Sequence, residues 1–243
     1  MWADALLVSA GCFVAAVCAG MAGFAFVMVA AGILLHVMPP SLTAPVLVIG
    51  SLIVQSIGTR AVWPDIAWPR LRLFVVTATL GVPLGLWMLA TGPAPAIVAG
   101  VGALLVVYSG YMLARLALRM APPQVANGPA RDAAVGFASG ILGGIGGVVG
   151  ALPAMWADIQ GMPPRETRAL LQPFIAAMQA ITSVGLAVAG FFTAEALLLA
   201  TLSVPALLAG TWVGLRAYRV LPAQGFRVAL LGLLLLSGLS LLV

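Results

Sequence analysis

The sequence predicts an all-α polytopic membrane protein of two inverted four-segment repeats, the first segment of each a glycine-broken re-entrant hairpin. Three observations predict it. Apolar runs of spanning length recur from end to end, the second half repeats the first at a fixed offset, and the arginines share one side only if two segments turn back. Apolar residues make up 63% of the 243 and charged residues only 7%, against roughly 25% charged in a soluble domain. Runs of about twenty apolar residues suit helices across a hydrocarbon layer of about 30 Å. They lack the ten-residue alternation of barrel strands.

Apolar windows between helix breakers give eight segments, 3–37, 42–60, 71–91, 94–118, 133–160, 167–190, 194–215 and 225–243. Breaks fall at Pro39–Pro40, at WPDIAWPR (63–70), at TGPAP (91–95), at GMPPRETR (161–168), at GFFTAE (190–195) and at LPAQG (221–225). The longest polar stretch, 119–132, reads as a linker between a first membrane repeat, 1–118, and a second, 133–243. One offset aligns Gly20 with Gly144, Gly23 with Gly147, Met38-Pro39-Pro40 with Met162-Pro163-Pro164, Thr43 with Thr167 and Gln55 with Gln179. Internal duplication of this kind is a mark of transporter folds.

The net charge of +5 comes from eleven arginines and no lysine. In so apolar a chain it reads as topology rather than as a nucleic-acid surface. If all eight segments cross, Arg60, Arg70, Arg72, Arg115, Arg119 and Arg131 lie opposite Arg165, Arg168, Arg216, Arg219 and Arg227. That split of six against five defines no orientation. If segments 1 and 5 enter and return, only segments 2–4 and 6–8 span and all eleven share one face. The positive-inside rule favours this second arrangement, with the arginines cytoplasmic and both termini outside. Each broken segment is then expected to form two short arms reaching about mid-membrane. The N-terminus carries Asp4 and no basic run, which argues against a cleaved signal peptide.

Six glycines stand between 140 and 150. Non-helical backbone at membrane depth is tolerated only inside protein or beside a watery cavity. Paired breaks in the two halves point to a substrate site there, and a half-helix beginning after a break aims free N–H groups at an anion. The competing reading is close helix packing through Gly143-xxx-Gly147 and Gly146-xxx-Gly150. Candidate binding residues are Gly20, Gly23, Gly144, Gly146, Gly147, Gln55, Gln179 and Thr182. Gln55 and Gln179 lie in polar stripes with Ser51, Ser56 and Thr59 and with Gln172, Thr182 and Ser183. The alternative role for these stripes is hydrogen bonding between helices.

Asp158, Arg168 and His36 are candidates for coupling or gating. For Asp158 and Arg168 the plainer expectation is two interface residues close enough in the chain to pair with each other, and for His36 an ordinary segment-end histidine. Trp2, Trp63, Trp68 and Trp156 fit an aromatic belt. Cys12 and Cys18 match no metal motif and read as packing residues. No catalytic constellation and no cofactor ligand set is evident, so neither an enzyme nor a cofactor is expected.

The run GGIGGVVGALPAMWADIQGMPPRETRAL at 143–170 resembles the TauE/SafE sulfite exporter family, also called the toluene sulfonate uptake permease family. The match lies in Gly143, Gly144, Gly146, Gly147, Gly150, Pro153 and the corner Gly161. The first half keeps Gly20 and Gly23 but has Val29 and Val37 where the pattern has proline and glycine. The resemblance implies a secondary carrier in the bacterial inner membrane, moving small organosulfur or carboxylate anions, commonly outward. Its partners would be a small anion and the lipid bilayer, not nucleic acid, with a homodimer left open. A passive anion channel and a non-transporting scaffold are the rival readings.

Overall fold

A computed structural model of the chain describes residues 2–121, 123, 125–126, 128–220 and 223–242. Parts of the 119–132 linker and of the break at 221–225 lie outside the described residues, as do the side chains of Trp2, Asp4, Arg219 and Arg227. The described chain is helical: α1 (Trp2–Ala22), α2 (Phe26–Leu34), α3 (Pro40–Val62), a 3-10 turn (Trp63–Asp65), α4 (Trp68–Thr91), α5 (Ala94–Ala117), α6 (Pro129–Gly146), α7 (Ala151–Ile159), α8 (Pro164–Val188), α9 (Ala194–Val220) and α10 (Ala223–Ser240). Proline stands in the first turn of α3, α4, α5, α6 and α8. There its missing N–H is no loss and its fixed φ starts the helix.

Both glycine-broken segments double back. Gly11 of α1 lies against Ile33 and Leu34 at the end of α2. Asp132 in the first turn of α6 accepts a 2.6 Å hydrogen bond from Trp156 Nε1 near the end of α7. The arms are unequal, which corrects the expectation of two short ones. The first arms have 21 and 18 residues and the return arms nine each.

Among the described residues, six helices are long and apolar enough to cross a membrane: α1, α3, α4, α5, α8 and α9. The set differs from segments 2–4 and 6–8. Helix α1 joins because it runs unbroken to Ala22, whereas the apolar part of α10 is only Val228–Ser240 among the described residues. The chain is therefore a multi-pass membrane protein.

Helix pairing exchanges between the halves: α1 packs along α9, α6 along α4, α3 against α8 and α5 against α10. In lipid the apolar effect does not drive helices together, so close backbone approach through small residues matters most. A Cβ on Gly140 would strike the carbonyl oxygen of Ala78, and one on Gly144 would lie 2.5 Å from that of Val82. On the other pair, Gly20 meets the Gly214 backbone at 2.9 Å from its would-be Cβ. The packing row on α6 is thus Gly136, Gly140 and Gly144, not the Gly143/147 and Gly146/150 pairs read from the sequence.

Contacts also give directions. Gly136 meets Phe74 and Gly144 meets Val82, so α4 and α6 run parallel. Phe13 meets Gly210 and Val17 meets Gly214, so α1 and α9 do too. Gly102 meets Leu241 whereas Val106 meets Gly238, so α5 and α10 are antiparallel. Gly58 touches Gln172 while Val48 and Gln179 share Gly147, which makes α3 and α8 antiparallel.

One end of the bundle gathers the arginine-bearing turns. There Arg165 binds Asp65, Arg70 binds Asp132 and Arg115 binds Asp158. At the opposite end His36 meets Ser240 at 2.8 Å, and Phe191 and Phe192 pack with Ala44 and Leu89.

Candidate functional site

The two breaks are built alike. Gly147 ends α6 in the left-handed conformation, φ 75°, and its N–H bonds the carbonyl of Gly143 at 2.7 Å. Gly23 follows α1 at φ 92°, its N–H bonding Ala19 at 2.6 Å. Positive φ at these two positions is where glycine is required. The tips approach each other: a Cβ on Gly150 would lie 3.6 Å from the Phe24 carbonyl oxygen.

Around each tip stand polar side chains of α8, and α3 carries buried polar side chains of its own. Gln179 donates through Nε2 to the Gly147 carbonyl at 2.8 Å, and Thr182 lies beside Gly143. The Gln172 amide packs between Gly23 and Gly58. Ser51, Gln55, Gln172, Gln179 and Thr182 are each 4% exposed or less. Each nevertheless has a polar atom without a hydrogen-bond partner: Ser51 Oγ, Gln55 Nε2, Gln172 Oε1, Gln179 Oε1 and Thr182 Oγ1. Such atoms cost about 1–3 kcal/mol each when left unpaired.

A cavity of about 310 Å³ reaches the first tip from the arginine-bearing end. Met21, Ala22 and Phe24 of the tip line it, with Asp158 and Arg168. A second cavity, about 430 Å³, reaches the other tip at Ile145 and Val148, between α4 and α5. Its lining is apolar apart from Thr91 and the backbone.

The sequence candidates therefore divide. Gly23 and Gly147 stand at the tips beside Gln172 and Gln179. Gly20 and Gly144 are consumed by helix packing, and Gly146 has only Val148, 4.0 Å from a would-be Cβ. Gln55, Gln179 and Thr182 are buried on the two central helices.

Asp158 and Arg168 line one cavity but are not paired with each other, contrary to the sequence expectation. Arg115 reaches across from α5 and takes the Asp158 carboxylate, while Arg168 donates to the Met21 carbonyl and stacks 3.9 Å over the Tyr218 ring. His36 is exposed at the far end, away from both. Trp156 gives its indole N–H to Asp132. Sequence reasoning missed Asp132, Arg115 and Tyr218. Asp132 beside Arg131 looked like ordinary linker charge, and nothing in the pattern marked it as 4% exposed.

The family model for the sulfite exporter TauE/SafE matches residues 8–241. The chain belongs to that family. TauE/SafE proteins are membrane transporters and not enzymes, and both hairpins, the central pair α3 and α8 and both cavities fall within the matched span. No curated protein and no solved structure matches this TauE/SafE chain.

Proposed function

We propose that the chain is a secondary carrier that exports a small anion, such as sulfite, an organosulfonate or a related organic acid, by alternating access. The anion binds between the hairpin tips, held by backbone around Gly23 and Gly147 and by Gln55, Gln179 and Thr182. The supporting observation is three buried donors without a partner on the central helices, Ser51 Oγ and Gln55 Nε2 on α3 and Thr182 Oγ1 on α8, the last beside Gly143 of the second hairpin. Neutral donors strip water from an anion without trapping it, and unpaired atoms in a dry core invite a ligand.

Two halves related by inversion supply the movement. The antiparallel pairs α3/α8 and α5/α10 are those expected of equivalent helices in inverted repeats. A cavity at each end of the bundle, each touching one tip, fits a site reached alternately. The membrane is the bacterial inner membrane, with the arginine-bearing end cytoplasmic.

Proteoliposomes test the reading. Saturable uptake of sulfite, methanesulfonate or acetate, accelerated by the same anion on the far side, is the expected result. Unitary currents without acceleration would make it a channel. Absence of flux for every small anion, with a stable co-purifying protein, would make it a scaffold.

A further inference from the structure

The two repeats differ at the tips. At the offset that pairs Gln55 with Gln179, Arg168 corresponds to Ala44 and Gln172 to Val48. Only the first tip therefore meets a charge and a second amide. Arg168 Nε and Gln172 Nε2 each lie 3.4 Å from the place a Cβ on Gly23 would take. Both donors thus pack closely on Gly23, and Arg168 also faces the cavity beside the first tip.

Arg168 has no carboxylate partner among the described residues. Its hydrogen bond goes to the Met21 carbonyl and its face lies on Tyr218. A half-buried guanidinium facing a cavity without a counterion is poised for an anion. Asp158, the carboxylate lining the same cavity, is bound to Arg115. At the opposite end, the corresponding Ala44 and Val48 pack with Leu89, Leu186, Phe191 and Phe192 and bring no charge.

We infer that Arg168, where it faces the cavity of about 310 Å³ beside the first tip, is the seat for the head group of a singly charged anion, reached from the arginine-bearing end. This rests on the carrier reading and adds its charge-selecting residue. One uncompensated guanidinium balances one negative charge. A dianion would keep one charge uncompensated in a cavity whose lining, apart from Arg168, Asp158, Thr167 and two tyrosines, is apolar. The second tip, with Gln179 and Thr182 and no cation, is the place from which the anion leaves.

The test pairs binding with flux. Methanesulfonate and sulfate are titrated calorimetrically onto detergent-purified protein, and uptake of both is measured in proteoliposomes. Wild type is expected to bind methanesulfonate in preference to sulfate. Arg168→Gln should weaken that binding, and raise KM, at least tenfold, with Arg168→Lys recovering part. A purely structural Arg168 would lower thermal stability and maximal flux while leaving the affinity for methanesulfonate unchanged.

Unchanged affinity in Arg168→Gln, or preference for sulfate, overturns the seat even if transport is robust. Arg168-dependent binding of methanesulfonate without flux of any anion keeps the seat and removes the carrier reading. No methanesulfonate binding by wild type overturns the seat.

Discussion

Arg70 closes a two-pronged ion pair on Asp132, Nε to Oδ2 at 2.8 Å and Nη2 to Oδ1 at 2.9 Å. The pair joins the head of α4 to the head of α6, two helices that run side by side in the same direction. Asp132 also accepts from Trp156 of the return arm, and Arg70 reaches Gln160 Oε1 at 2.6 Å. One carboxylate therefore holds both arms of the second hairpin to the first half. It also sits in the first turn of α6, where the helix dipole favours negative charge.

Removing one partner of so buried a pair leaves the other uncompensated. Asp132→Ala should cost about 3–5 kcal/mol, read as a lowered unfolding midpoint in detergent. A double-mutant cycle with Arg70→Ala should give a coupling of at least about 1 kcal/mol. Additive losses would mean that the two side chains merely lie close.

The α4–α6 seam makes a second prediction. Gly140→Val would drive a branched side chain into the Ala78 backbone. Because neither backbone can yield without parting the helices, folded protein should not be recovered. Gly100, in α5, meets nothing within 4 Å of a would-be Cβ. Gly100→Ala should fold normally and gain up to about 1 kcal/mol from helix propensity. Monodispersity and thermal melts separate the two outcomes.

The hairpins were legible because arginine is costly in lipid, so its placement constrains which segments cross. The MPP corners were legible because proline starts helices wherever it falls. Partnerships were not. One apolar face resembles another, and nothing local told that α1 would choose α9 or that α6 would choose α4. The same limit hid the pairing of Asp158 with Arg115, 43 residues away. Proximity in the chain suggested Arg168, but α7 and α8 meet at a corner that turns the guanidinium toward Met21 and Tyr218. Glycines could be counted, but whether each served packing, as at Gly144, or a turn, as at Gly147, depended on the neighbour it met.

Sidedness can be read by labelling. Trp63 and Glu166 are exposed at the arginine-bearing end, and Thr91 and Glu195 are exposed at the other. The native Cys12 and Cys18 are buried. With single cysteines introduced at these four places, an impermeant maleimide applied to intact cells should label 91 and 195. Positions 63 and 166 should react only after permeabilisation. Reaction of 63 and 166 from opposite sides would contradict the shared end seen in the Asp65–Arg165 pair.

Gln55 and Gln179 are matched by the sequence offset but sit in different circumstances, and that difference separates structure from transport. Gln179 Nε2 satisfies the Gly147 carbonyl, so Gln179→Leu strands a buried acceptor and should cost about 1–3 kcal/mol. Gln55 Nε2 satisfies nothing, at 1% exposure. Gln55→Leu removes an unpaired polar group of similar volume, so stability should hold or rise. Flux should nevertheless fall at least about tenfold, the equivalent of one charge-assisted hydrogen bond to the passing anion. Melting curves and initial uptake rates on the same two preparations decide it. A Gln55→Leu protein that is stable and transports at the wild-type rate would place that side chain outside the anion's path.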